Sequence, residues 1–289
     1  MKQIIAFLLL LISSYTYSQL NTEVYLCDIQ LEYDGLIVSN FQNISNNEGY
    51  DSQPAFANNN QVLFAANNQG QTDIAFYDIS TKTKNWFHTK TSGGEYSPKQ
   101  SPNSKTNISA VRLDLDGLQR LYIYDTVSQG NTELIEGIQV AYYDFYTADT
   151  ILAAVLSEGA LDLVLSNLKS KKTDTILRNV GRSIHRVPSS KTMSYTAVNE
   201  DKNQDLYLLD IDTMESFFVC QLPIGVQDYT WLNDSQILIG SGSKLYIYDT
   251  FLSSEWKEIA NLSKHNIKDI SRLAVSPDSS KLAIVAISK

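Results

Sequence analysis

Leu121-Tyr122-Ile123-Tyr124-Asp125 and Leu245-Tyr246-Ile247-Tyr248-Asp249 are one phrase written twice: apolar residues and tyrosines closed by an aspartate. Looser copies are Val24-Tyr25-Leu26-Cys27-Asp28, Ile74-Ala75-Phe76-Tyr77-Asp78, Leu163-Val164-Leu165-Ser166-Asn167 and Leu206-Tyr207-Leu208-Leu209-Asp210. Their closing residues, at 28, 78, 125, 167, 210 and 249, stand 50, 47, 42, 43 and 39 positions apart. That period is close to the ~40–45 residues of a four-stranded propeller blade.

The surroundings of each copy repeat as well. A β-rich run precedes all but the first: Gln61–Ala66, Asn107–Leu113, Ile151–Leu156, Thr192–Val198 and Gln236–Gly240. Turn-forming residues, such as Asn67-Asn68-Gln69-Gly70 and Asp114-Leu115-Asp116-Gly117, separate the two runs. A polar turn and another strand follow the closing residue, as at Asn85–Thr89, Thr175–Asn179 and Ser216–Leu222. A fourth run comes before most sets, at Pro54–Phe56, Tyr142–Tyr146, Ile184–Pro188 and Tyr229–Leu232. Four short strands per repeat, joined by tight turns, predict an all-β, six-bladed β-propeller. Helical repeats are disfavoured because the apolar runs are short and broken by Gly, Asn and Asp.

The sixth blade is split. Ser271–Val275 and Leu282–Ile287 supply two C-terminal strands, and Glu23–Ile29 and Leu36–Ile44 supply the two missing ones from the N-terminal side. This two-plus-two seam closes the ring and removes the bare edge of a half-blade. The segment Leu273-Ala274-Val275-Ser276-Pro277-Asp278-Ser279-Ser280-Lys281-Leu282-Ala283 resembles the WD40-like repeat of TolB-type propellers. Ser101-Pro102-Asn103-Ser104 and Asn233-Asp234-Ser235 are degenerate copies of its turn, and Asp73-Ile74 and Asp205-Leu206-Tyr207 keep its third-strand motif. The glycine of the family's Ser-Pro-Asp-Gly turn is missing. The resemblance implies a TolB-like propeller over nearly all of the chain. That family includes translocation-associated scaffolds and the propeller parts of peptidases, so the resemblance speaks to architecture more than to function.

Lys2, the apolar run Ile4–Ile12 and the polar stretch Ser13–Ser18 form a signal-peptide pattern with cleavage expected after Ser18. The run is shorter than the ~20 residues of a spanning helix, so no membrane span is expected. Residues 19–289 are then expected to form one soluble propeller domain, exported to the periplasm or secreted. The formal charge of −9 opposes binding to a phosphate backbone, so nucleic acid is not an expected partner. Cys27 and Cys220 fall in apolar strands of non-adjacent blades and are expected to be buried thiols without a disulfide.

Chemistry is sparse. His88, His185 and His265 are the three histidines, placed on an outer strand, on an inner strand and in the connection before the last blade. They form no zinc-spaced pair, and there is no Gly-x-Ser-x-Gly elbow. Asp201-Lys202-Asn203-Gln204-Asp205 opens like a calcium loop, but Leu206 and Asp212 stand where such a loop needs Gly and Glu. A hairpin turn is the better reading. Aligning the repeats brings Asp51, Glu95, Tyr142, Arg186, Asp228 and Arg272, with His185 beside Arg186, to the mouth of the central channel. These residues are the expected ligand-binding set. The expected function is a non-catalytic binding or scaffold propeller for a protein, a peptide or a small polar ligand, without a cofactor. The rival expectation is a metal-assisted hydrolase or lyase with its site at the same mouth, its ligands dispersed in sequence.

Overall fold

The computed structural model of the chain describes residues 21–33, 35–87 and 91–288. The expected signal segment 1–18, the new terminus Gln19 and the strand position of His88 lie outside them. The chain enters with β1 (Thr22–Glu32) and β2 (Gly35–Asn43). Blade 1 follows as β3 (Asp51–Asn58), β4 (Gln61–Asn68), β5 (Gln71–Asp78) and β6 (Thr83–Trp86). Blade 2 is β7 (Gly94–Gln100), β8 (Asn107–Leu113), β9 (Gln119–Asp125) and β10 (Asn131–Glu133). Blade 3 is β11 (Val140–Thr147), β12 (Thr150–Ser157), β13 (Ala160–Asn167) and β14 (Lys172–Arg178). Blade 4 is β15 (Val180–Arg186), β16 (Thr192–Val198), β17 (Gln204–Asp210) and β18 (Ser216–Gln221). Blade 5 is β19 (Thr230–Trp231), β20 (Gln236–Ser241), β21 (Lys244–Asp249) and β22 (Lys257–Asn261). After a short 3-10 turn, Ser263–His265, come β23 (Ile267–Val275) and β24 (Lys281–Ser288).

The sixth sheet has the order β2-β1-β24-β23, so the chain's two ends share one blade as the sequence predicts. Tyr25 sits opposite Ile284, and Ile284 opposite Leu273, in antiparallel register. The recurrent five-residue phrase is the third strand of every blade.

Its closing residue has a structural task. The Oδ1 of Asp78 accepts the Thr81 N–H, that of Asp125 the Val127 N–H and that of Asn167 the Ser170 N–H. Asp210 and Asp249 each cap two backbone N–H groups in the same way. The side chain thus folds the turn into the outer strand, and Asn serves as well as Asp because only the oxygen is used. Asp28 differs: it takes Asn40 and Lys281 instead. These tight turns also start the outer strands β6 and β14 two to three residues earlier than the apolar pattern suggests.

Six apolar clusters fill the six interfaces between neighbouring blades. The second strands are therefore covered on both faces and read as unbroken apolar runs, as in Val62–Ala66, Ile151–Val155 and Leu282–Ala286. The seam is packed like the other joints: Val24, Leu26 and Val285 of blade 6 meet Val62, Phe64 and Tyr77 of blade 1. Cys27 and Cys220 are free and buried, in blades 6 and 4, and burial pushes both thiols up to about 12. The calcium-like stretch is a hairpin turn in which Asn199 Oδ1 accepts the Asn203 N–H. Among the described residues no helix is long and apolar enough to cross a membrane.

Candidate functional site

The six inner strands line a central cavity of about 190 Å³, bounded by Gln53, Lys99, Tyr142, His185, Asp228 and Arg272 among others. Of the seven residues expected at the mouth, Tyr142, His185, Asp228 and Arg272 reach it. The other three do not. Asp51 is fully buried at the joint of blades 6 and 1, where its Oδ1 accepts the Asn67 N–H and the Asn47 amide. Burial raises the pKa of Asp51, and nearby Glu23 adds to the shift. Glu95 is fully buried as well, held by Thr91 and, at 3.4 Å, by the Tyr124 hydroxyl. Arg186 is exposed at the end of β15, with its guanidinium 5.6 Å from the Tyr146 ring.

The reason for these misplacements is bulging. Inner strands carry extra residues that break the strict alternation of faces. Gln53-Pro54 bulges out of β3 and Ser97-Pro98 out of β7, with Gln53 and Ser97 in left-handed conformation at φ 56° and 50°. Gln53 Oε1 then accepts the Ser97 N–H at 2.8 Å, tying the two bulges together. In β15 the irregular segment is 181–183. A Cβ at Gly181 would come within 2.1 Å of Thr196 Oγ1, so only glycine lets the strand lie that close. The next two residues, Arg182 and Ser183, line the cavity.

Arg182 is the member that sequence reasoning missed. With Arg272 it flanks one carboxylate, Asp228, which is 9% exposed. Arg272 Nη1 binds Asp228 Oδ2 at 2.6 Å, whereas Arg182 Nε stands 3.5 Å from the same oxygen. Ser183 Oγ donates to Asp228 Oδ1 at 3.0 Å and lies 3.0 Å from His185 Nε2. Because the serine proton is committed to Asp228, His185 donates through Nε2, which makes Nε2 the protonated nitrogen. Burial, together with the nearby Lys99 charge, lowers the pKa of His185 to about 4. Arg272 also lies 5.7 Å from the Tyr142 ring, a cation-π contact. A second carboxylate, Asp144, pairs with the cavity-lining Lys99 at 2.9 Å and accepts the Arg186 N–H at 3.1 Å.

Two repeat-equivalent latches stand behind the channel wall. The Tyr143 hydroxyl bonds Ser109 Oγ of the preceding blade at 2.7 Å, and the Tyr229 hydroxyl bonds Ser194 Oγ of its preceding blade at 2.7 Å. Both tyrosines are buried, and desolvation raises the pKa of each phenol. These bonds tie blade 3 to blade 2 and blade 5 to blade 4, the second directly beside Asp228.

This arrangement is not that of a serine nucleophile. A triad needs a base that accepts the serine proton and an acid behind the base. Here the acid holds the serine and the base donates to it. Nor do the residues present fit a metal: both oxygens of Asp228 are taken, His185 is a single imidazole, and among the described residues no three His, Cys, Asp or Glu side chains gather.

The putative TolB of Agrobacterium tumefaciens superposes with a TM-score of 0.68 at 8% identity, covering 93% of this chain and 98% of that one. The chain has a TolB-like six-bladed propeller fold. TolB of Acinetobacter baumannii superposes with a TM-score of 0.58 at 9% identity over 93% of this chain. The match spans 64% of that protein, less than two thirds of its length. An oligogalacturonate lyase in complex with manganese superposes with a TM-score of 0.56 at 12% identity, covering 88% of this chain and 82% of that one. No family model and no curated protein sequence matches the chain. At these identities the likeness is one of TolB-like architecture.

Proposed function

We propose that this chain is a non-catalytic binding or scaffold propeller acting outside the cytoplasm, which holds a polar ligand, presented by a protein or peptide or free as a small molecule, in its central channel. Residues 1–18 serve as a cleaved signal, and 19–289 form the propeller domain. The carrying observation is the charged cluster of Arg182, Asp228 and Arg272 on a cavity wall, on rigid inner strands braced by the Tyr143 and Tyr229 latches. Groups of this kind are costly to bury and pay off when a ligand completes them.

The test is to plug the channel without touching its charges. Ala55 lines the cavity, so Ala55→Leu pushes methylenes into empty space and is expected to alter stability by about 1 kcal/mol or less. Molecules from the extracytoplasmic fraction retained by the wild type, identified by mass spectrometry, should not be retained by this variant. Equal retention by both proteins would remove the channel as the binding site. Stoichiometric divalent metal in the purified protein would instead favour the metal-assisted reading.

A further inference from the structure

We propose that Arg182 and Arg272 form a receptor for a single carboxylate, carried by the C-terminus of a peptide or by a small organic acid. The inference deepens the channel reading and rests on it. Charge balance is the first argument. Two guanidiniums face the one carboxylate of Asp228, which leaves an excess of one positive charge. The next charges along the wall do not cancel it, because Lys99 is spent on Asp144 at 2.9 Å and burial keeps His185 neutral. This local excess occurs in a chain whose formal charge is −9.

The second argument is unsatisfied hydrogen-bonding capacity. Arg272 makes the short bond to Asp228, whereas the buried Nε of Arg182 has no hydrogen-bond partner. Among the described residues, Arg182 otherwise donates only to the Ser271 carbonyl, from Nη2 at 3.4 Å. A guanidinium offers five donors in a planar fork suited to the two oxygens of a carboxylate. Burial and the neighbouring Arg272 charge both disfavour the charged form of Arg182, and an incoming anion would relieve both.

Space is the third argument. Arg182, Asp228 and Arg272 border both the 190 Å³ cavity and a neighbouring one of about 350 Å³ that opens along Ile224–Asp228 and Asp269–Leu273. A carboxylate at the arginines therefore has room on either side for the group that carries it. An excess of one charge matches a carboxylate better than a phosphate dianion, which would leave a buried negative charge uncompensated.

The experiment titrates the purified mature protein with N-acetyl-trialanine, its C-terminal amide, acetate and inorganic phosphate, followed calorimetrically at low and high salt. The free acid is expected to bind at least tenfold more tightly than the amide and to weaken with salt. Arg182→Gln should erase that difference while retaining cooperative unfolding, because Arg272 still neutralises Asp228; Arg182→Lys should restore it in part. Acid peptide binding well above acetate would assign the site to a peptide terminus, and acetate binding equally well would assign it to small acids. Equal binding of acid and amide, a preference for phosphate, no saturable binding of any carboxylate at millimolar concentration, or an unaffected Arg182→Gln variant would each overturn the proposal. If acid and amide bind equally but Ala55→Leu abolishes both, the carboxylate specificity falls and the channel reading stands. Binding that survives Ala55→Leu removes both.

Discussion

Asp144 and Asp228 each bridge three consecutive blades and end in different electrostatic states. Asp144 joins three consecutive blades: it sits in blade 3, pairs with Lys99 of blade 2 and accepts the backbone N–H of Arg186 in blade 4. Asp228 does the same two steps round the ring, leading into blade 5 and holding Ser183 of blade 4 and Arg272 of blade 6. The first is balanced, one cation to one anion, with the Arg186 head turned out toward solvent. The second carries an extra guanidinium. A carboxylate that bridges blades is thus a structural device in both places. Only the surplus arginine turns one of them into a candidate site.

The comparison breaks most directly at Asp228. Asp228 and Arg272 are only 9% and 14% exposed, so the cost of under about 1 kcal/mol usual for an exposed channel-mouth residue does not apply to either. Asp228→Ala leaves two guanidiniums facing each other without a counter-charge, and the expected loss is about 3 kcal/mol, read from urea unfolding. A midpoint close to wild type would mean that the arginines find water easily and that the cluster is not under electrostatic load.

A smaller effect should appear with pH. His185 has a pKa of about 4 in the folded protein, against an ordinary value of 6.5. The unfolded chain therefore binds more protons between those values. The stabilising effect of keeping His185 neutral is fully present above about pH 6.5 and is lost as pH falls towards 4. About 2 kcal/mol is expected to disappear across that window beyond what His185→Gln loses. Parallel stability profiles for the two proteins would show that His185 charges as freely in the folded protein as in the unfolded chain.

Asp144→Ala should cost least, about 1 kcal/mol, because Lys99 is partly exposed and can turn to solvent. A loss as large as that of Asp228→Ala would erase the distinction between the balanced and unbalanced carboxylates. Thermal unfolding of the two alanine variants side by side measures it.

The blades were legible because their signals are local. A closing Asp or Asn caps the turn that follows it, and a strand pressed between two neighbouring blades must be apolar on both faces; both requirements are written within a few residues. Leu121–Asp125 and Leu245–Asp249 could be placed as third strands on those grounds, and the split sixth blade followed from counting strands at the two ends. Four of the seven expected channel residues were placed correctly by the same alignment.

The rest needed the folded ring. Asp51 and Glu95 have the spacing of channel residues, but the bulges that follow them, at Gln53-Pro54 and Ser97-Pro98, shift the face on which each side chain emerges, and both carboxylates are buried between blades. Arg182 carries no motif; it lines the cavity because Gly181 lies against Thr196 and Gln204, and it acquires meaning from Asp228 and Arg272, which stand 46 and 90 positions further on. The sequence by itself therefore determined the repeat, the number of blades and the seam, since turn chemistry and two-sided burial act over short stretches of chain. Which charges meet in the channel was decided by the tertiary structure alone, because a one-residue bulge reverses a strand's faces and the balance of charge depends on side chains brought together from three different blades.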